Sequence, residues 1–489
     1  MKLSTYQKLL IIVLFGLVLR LIFFTGTGSS DELDYYNFAN QVNHGTFKLQ
    51  LNHFSFRIGI IYPVAAIFYF FGVNEFTANI LVLPFSLASI VLIFFIGKLF
   101  FSEKTGLIAS LLLSFYPLDV FFSTRLLPDL PAVFFMGLSA LFFFYGENLK
   151  RQKFYYTLSG IVLGIGYLIK EITLLMGLFY LSYFVYKRKF KLEYFLMGIG
   201  IISSVFAVAV FSYYDVNDAF YQYKAHEGQE VEYMRKFYPN YFTTEGITKR
   251  IFLLLPYILF TDQNYGLFFI FVAIGTLYLI IKKRKEAYVP IIWMAILALY
   301  LNFGTVSLKE YVPFPITVRF LALITIPSLL VLAYFLSIVP MKNLSLCIVM
   351  LLLLTSMFFS YSLQKKNEPR NLKLAYSFLV AKNDNKPIYT DERSSRLLDY
   401  LYGYKNGDKI IKFNEYEYYD YEIADRNIKI LNLKSINDSY IIVNYGMING
   451  LRAVYKDMKF PEEALNPPQN WKIEKQFGSD DDKLMIYST

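Results

Sequence analysis

Apolar blocks of membrane-spanning length, separated by short basic loops, constrain this chain more than any other feature. A helix that crosses a bilayer needs about 20 mostly apolar residues. Eleven blocks are read as spans, near 7–24, 76–99, 104–122, 130–146, 154–170, 172–186, 191–212, 264–281, 288–303, 316–338 and 343–361. Two further stretches, 58–72 (IGIIYPVAAIFYFFG) and 251–260 (IFLLLPYILF), are shorter and contain Pro63 and Pro256. Segments of that length more often lie in the interface than cross it. Composition agrees, with 56% of the 489 residues hydrophobic and 18% charged. A soluble single-core enzyme, a disordered chain and a coiled coil are thereby excluded. The single cysteine, Cys347, rules out a disulfide framework and a cysteine-based zinc site.

The positive charge is unevenly placed. The net charge is +10, yet residues 365–489 hold 20 Lys/Arg and 19 Asp/Glu and are nearly neutral. The excess lies in residues 1–364, with 28 Lys/Arg against 19 Asp/Glu. With the N-terminus inside, eleven spans put 16 basic residues in the inner loops, among them 187–191 (KRKFK) and 282–285 (KKRK). Every short basic loop then falls on one side, as the positive-inside rule requires. The charge therefore marks topology and gives no reason to expect nucleic acid. Two long outer loops follow, 25–75 and 213–263, and the tail ends outside. The chain divides into a membrane domain, 1–364, and an extracytoplasmic soluble domain, 365–489. In that domain PIYT, KIIKF and YIIVNY read as buried strands and SSRLLDYLYG as a helix, and the domain is expected to cover the outer opening and help select an acceptor.

Few ionisable residues lie mid-span, unlike the usual pattern of ion-coupled transporters. They gather instead at the outer helix ends. Asp31, Glu32 and Asp34 follow the first span; Arg57 precedes the short helix; Arg125 and Asp129 lie in STRLLPDLPA; Lys170 and Glu171 sit at the turn in YLIKEITLL; Arg319 opens the tenth span. Carboxylates at that level suit removal of a proton from an acceptor hydroxyl. Lys and Arg suit a phosphate held as a leaving group. Aromatic-rich helices suit a long lipid tail. Each residue also has a plainer reading. Asp31 could solvate a loop, Asp129 could cap a helix, Lys170 and Glu171 could pair at a turn, and Arg57 and Arg319 could snorkel to headgroups. The three histidines, His44, His53 and His226, read as surface residues.

The run LVLRLIFFTGTGSSDELDYYNFANQVNHG resembles the first outer loop of the GT-C glycosyltransferases, the multi-span enzymes related to dolichyl-phosphate-mannose protein mannosyltransferases and aminoarabinose lipid A transferases. The matching positions are Arg20, Asp31-Glu32, Tyr35, Ala39 and Gly45. The following short helix, Asp129 and Lys170 continue the resemblance, which is good over about 8–190 and looser beyond, where only the Arg319 region resembles the family. It implies a GT-C fold of about eleven spans with juxtamembrane helices and an outer α/β domain. It implies an inverting hexosyltransferase using a polyprenyl-monophosphate sugar, with mannose the first expectation, and an acceptor hydroxyl on a protein, glycan or lipid. Asp31 would be the general base, and Glu32 and Asp129 would orient the acceptor or that base. Lys170, with Arg57, Arg125 and Arg319, would bind the donor phosphate; Tyr35, Asp34 and Glu171 would support. Arg57 stands where a His-Pro-Pro-type motif often occurs. The histidines do not reproduce the metal site of some relatives, so no catalytic metal is expected.

Other readings remain at this level. A flippase or transporter of lipid-linked sugars predicts midplane charge and internal symmetry. An oligosaccharyltransferase predicts a Trp-Trp-Asp-type motif, whereas the two tryptophans stand apart at 293 and 471. A non-catalytic sugar-lipid-binding membrane protein is the third.

Overall fold

The structure, a computed structural model, describes residues 3–28, 30–405, 407–414, 430–454, 459–479 and 482–489, without the side chains at 229, 230, 233, 236, 237, 251 and 454. Each of the eleven apolar blocks falls on helix. Among the described residues seven helices are long and apolar enough to span a membrane: Thr5–Ile22, Glu75–Phe100, Asp129–Asn148, Leu192–Val216, Lys285–Phe303, Phe320–Ile338 and Lys342–Asn367. The other blocks are interrupted, shorter or, in the case of the 18-residue Gln152–Ile169, less apolar. Residues 104–122, for instance, divide into Glu103–Phe115 and Pro117–Phe122 at Pro117, whose ring starts a helix well but cannot continue one. The short helix Ile58–Phe71 has 14 residues, about 21 Å at 1.5 Å per residue, too little to cross about 30 Å of hydrocarbon.

The chain forms two compact units: 1–25, 48–63 and 79–366 make the first; 26–47, 64–78 and 367–489 make the second. The second therefore takes in two segments that follow the first span as well as the tail.

In the first unit, Phe320–Ile338 is central, with 89% of its apolar window buried, against 22% for Thr5–Ile22 and Leu192–Val216. Those two helices turn side chains such as Leu10, Phe15, Ile202 and Phe206 outward, which suits a surface facing lipid. Helix Gln152–Ile169 lies between Asp129–Asn148 and Leu196–Val216. On the latter side the backbones touch. A Cβ on Gly160 would sit 2.1 Å from the Met197 carbonyl oxygen, and one on Gly164 2.5 Å from that of Gly200. Small residues four apart permit this approach in membranes. A buried ionic knot ties the first span to its neighbours: the Arg20 guanidinium binds Asp119, Ser86 and the carbonyls of Gly16 and Ser114. Ser86 also donates to Asp119, and Arg20 is fully buried. A second knot joins the other helix ends. Glu147 accepts from Tyr156, Tyr183, Tyr194 and Lys191. The segment 213–263 is anchored by buried Arg250, which donates to the carbonyls of Leu301 and Phe314.

The second unit is built on a five-stranded sheet of order β2-β1-β3-β5-β4. The strands are β1 (Ile388–Thr390), β2 (Ile410–Lys412), β3 (Tyr440–Asn444), β4 (Lys472–Phe477) and β5 (Leu484–Ser488). β1 pairs in parallel with β2 and β3, whereas β5 pairs antiparallel with β3 and β4. The three strands expected from sequence are present. The expected helix runs Glu392–Leu401, capped by Asp391, whose side chain accepts from the Ser394 amide at 2.9 Å. Phe413, Leu433, Ile441, Val443, Ile448, Trp471 and Met485 fill the core on one side of the sheet.

Candidate active site

Within the first unit, four chain segments bring charge together. Asp129 is the first residue of helix Asp129–Asn148, and the capping position falls on Pro128. The plainer reading of Asp129 as a helix cap is overturned. Its Oδ1 instead accepts from Lys170 Nζ at 2.6 Å, and both side chains are buried. Its Oδ2 is buried without a hydrogen-bond partner. An oxygen left so is costly unless nearby positive charge or a ligand compensates. The charge is there: Lys170 is joined by Arg319 and Arg57 in the field at Asp129.

Lys170 lies between helix Gln152–Ile169 and the 3-10 turn Glu171–Leu175 with φ −162° and ψ 124°. An extended residue sends adjacent side chains to opposite sides, so Lys170 and Glu171 do not form the turn pair that adjacency suggested. Lys170 reaches Asp129, and its ammonium also lies 4.3 Å from the centre of the Phe320 ring. Glu171 lies 3.6 Å from Arg57 and 3.2 Å from His226 Nε2. Arg57 can come this close because Gly59 follows it. A Cβ on Gly59 would sit 2.9 Å from the Leu168 carbonyl oxygen. Arg57 and Lys170 are therefore buried members of one cluster, and Arg57 does not snorkel. Arg125 is also buried, with its guanidinium 5.4 Å from the Phe121 ring centre.

Three cations, Lys170, Arg57 and Arg319, thus stand against two carboxylates, Asp129 and Glu171. Such a gathering of buried cations suits an anion such as a phosphate. Two members were missed in the sequence. His226 is half-buried against Glu171, and His53 lies beside it with ring centres 6.4 Å apart; neither is a plain surface residue. Phe320 was also missed. Nothing in the local sequence marks these residues, because their partners are far away along the chain. Among the described residues no group of three or more His, Cys, Asp or Glu side chains is placed to hold a metal ion.

The acidic run 31–34 belongs to the second unit. Asp31 precedes helix Glu32–Asn43 and makes no side-chain capping bond; its Oδ1 accepts from Ser30 at 3.2 Å. Glu32 is fully buried and accepts from the Gly28 amide at 2.7 Å. Tyr35 is also fully buried. Asp34 pairs with Arg396 of helix Glu392–Leu401. Burial pushes the Asp34 carboxyl up to about 6, against the pull of Arg396 and with a push from Asp31 and Glu32.

Known proteins share this arrangement of helices and sheet. ArnT from Cupriavidus metallidurans in the apo state superposes with a TM-score of 0.58 at 12% identity, covering 98% of this chain and 97% of that one. ArnT bound to undecaprenyl phosphate gives 0.56 at 11% over the same shares. The archaeal oligosaccharyltransferase AglB from Archaeoglobus fulgidus, in complex with an inhibitory peptide and a dolichol-phosphate, gives 0.54 at 12%, covering 91% of this chain and 70% of that one. The chain has the GT-C fold. Residues 58–214 match the family model described as dolichyl-phosphate-mannose-protein mannosyltransferase, and they include the short helix, Asp129, Lys170 and Glu171. No curated protein matches the sequence significantly. Its apolar helices of membrane-spanning length fit a multi-pass membrane protein, and of the buried cluster Asp129, Lys170 and Glu171 lie on the matched segment.

Proposed function

We propose that this protein is an inverting glycosyltransferase that moves a hexose, with mannose the first candidate, from a polyprenyl-monophosphate donor to an acceptor hydroxyl at the outer membrane face. The observation that carries this reading is the buried Asp129–Lys170 pair with Arg57 and Arg319 acting on it, a gathering of cations that fits a phosphate. The match of 58–214 to the mannosyltransferase family model supports it. So do the undecaprenyl phosphate and dolichol-phosphate bound to ArnT and AglB.

In this reading Lys170, Arg57, Arg319 and Arg125 hold the donor phosphate. Asp31 takes the proton of the acceptor hydroxyl, whose oxygen forms a bond to the anomeric carbon. The bond from that carbon to the phosphate oxygen breaks, and the cations stabilise the charge that stays on the phosphate. Asp129 fixes Lys170, and its second oxygen is available to a donor or acceptor hydroxyl. Glu32 and Asp34 shape the backbone around Asp31. The acceptor is a hydroxyl of a protein, glycan or lipid, and the second unit contributes to its selection. The N-terminus is cytoplasmic and the tail extracytoplasmic.

The test uses purified protein, radiolabelled polyprenyl-phosphate-mannose or -glucose, and a membrane fraction of the source cells as acceptor pool. Label should pass from donor to acceptor, and Asp31→Asn should stop transfer while keeping donor binding; normal turnover in that variant removes Asp31 as the base. Orientation is tested with an impermeant thiol reagent on a Cys347→Ser background. Asn37→Cys and Ser435→Cys should react from outside and Arg284→Cys should not; all three positions are exposed.

A further inference from the structure

The segment that carries Asp31 is held on both sides by contacts that lead back to the tail. On its N-terminal side, the Thr27 amide donates to Glu75 at 3.0 Å, and Lys373 of helix Arg370–Lys382 grips the same Glu75 oxygen. On its C-terminal side, Asp34 pairs with Arg396. Two residues further along, Tyr36 stacks on Tyr400, with ring centres 4.5 Å apart and planes 19° apart. Tyr36 also shares a hydrogen bond with Thr27 at 3.3 Å, so the two sides are linked. Between Thr27 and Asp34 lie six residues, with Asp31 among them. All the contacts lie inside the second unit.

A general base must be held in reach of the proton it takes, and displacement of about 1 Å can cost about 100-fold in rate. Asp31 is the residue that leads directly into helix Glu32–Asn43. Its position therefore follows the place at which the helix start is held. We propose that Arg396 and Lys373, through Asp34 and Glu75, are positioning residues that aim Asp31 for the transfer step. The proposal rests on the reading of Asp31 as the base. It gives the tail a direct part in the chemistry, beyond choosing an acceptor.

The test compares Arg396→Gln, Arg396→Lys and Lys373→Gln with the unaltered full chain, using the labelled donor and membrane-fraction acceptor pool. Three quantities are read: transfer rate at saturating donor, affinity for undecaprenyl phosphate, and melting temperature. Arg396→Gln should slow transfer at least tenfold and leave undecaprenyl phosphate affinity within twofold. Arg396→Lys, which keeps the charge, should recover most of the rate, and Lys373→Gln should slow transfer severalfold. Rates unchanged in Arg396→Gln and Lys373→Gln, while Asp31→Asn is inactive, overturn the clamps and leave the base standing. A rate loss that follows the melting temperature and is not recovered by Arg396→Lys also overturns them, since it marks a folding defect. Transfer that survives in Asp31→Asn overturns the base, and the positioning proposal falls with it.

Discussion

Two buried ion pairs in the first unit have similar components and opposite surroundings. Around Arg20 and Asp119, the guanidinium finds the carboxylate, a hydroxyl and two carbonyls, and Ser86 serves both partners. Around Lys170 and Asp129, one carboxylate oxygen is left over and two arginines add positive charge. A knot whose groups are matched holds helices together. A cluster of several cations around a carboxylate oxygen that has no hydrogen-bond partner among the described residues has room in its chemistry for a ligand. The Asp34–Arg396 pair of the second unit falls between them: paired, but half-buried and close to two more carboxylates.

The largest expected effect tests the first half of that contrast. Arg20→Met should lower stability by about 3–5 kcal/mol, because it leaves Asp119 buried and unpaired. Replacing both partners, Arg20→Met with Asp119→Leu, should recover most of the loss. The melting temperature in detergent measures this, and transfer per folded molecule should change little in the double variant. Next, Lys170→Met should reduce transfer by about 100- to 1,000-fold, the usual effect of losing one charge-stabilising donor, with a much smaller fall in melting temperature because Arg57 and Arg319 still face Asp129. If Lys170→Met melts as early as Arg20→Met, the contrast is false.

The third expectation concerns pH. The Asp34 carboxyl is raised from the ordinary 3.8 to about 6, and Asp31, Glu32, Arg396 and Tyr404 are the titratable or charged groups that bear on it. Its contribution to stability is complete below about 3.8 and is lost as pH rises through 6, because the folded state holds the proton longer. The ion pair follows the opposite course, since it needs the ionised form. Transfer should therefore rise through pH 6 in the unaltered chain, and Asp34→Asn should lack that inflection in a rate–pH profile. The smallest effect is expected at Glu171→Gln. Removing one carboxylate from the cationic cluster should tighten undecaprenyl phosphate binding by about 1 kcal/mol or less; weaker binding would mean that Glu171 matters more for ordering Arg57 than for opposing the phosphate.

The apolar helices were legible because length and hydropathy are local properties, and each predicted block carries helix. Three strands of the tail were legible as apolar runs. β4 was not: Lys472–Phe477 is largely exposed, so KIEKQF shows no buried face to read. The site was legible as residue types and only partly as partners. Asp129 and Lys170 were picked separately, yet their pairing depends on the extended backbone at Lys170. Arg20 and Asp119 meet across 99 residues, and His226 reaches Glu171 from a different segment of the chain. The tail's hold on 26–47 and 64–78 is likewise a matter of long-range contact, and a composition shift near residue 365 cannot reveal it.

Gly160, Gly164 and Gly200 impose a routing constraint on any lipid. Where two backbones lie in contact, no hydrocarbon chain can enter from the bilayer, and substituting a larger residue would force the seam apart before it admitted one. The face between Gln152–Ile169 and Leu196–Val216 is therefore closed to a polyprenyl tail. A photo-crosslinking donor should label other helix faces of the first unit and leave this one unmarked.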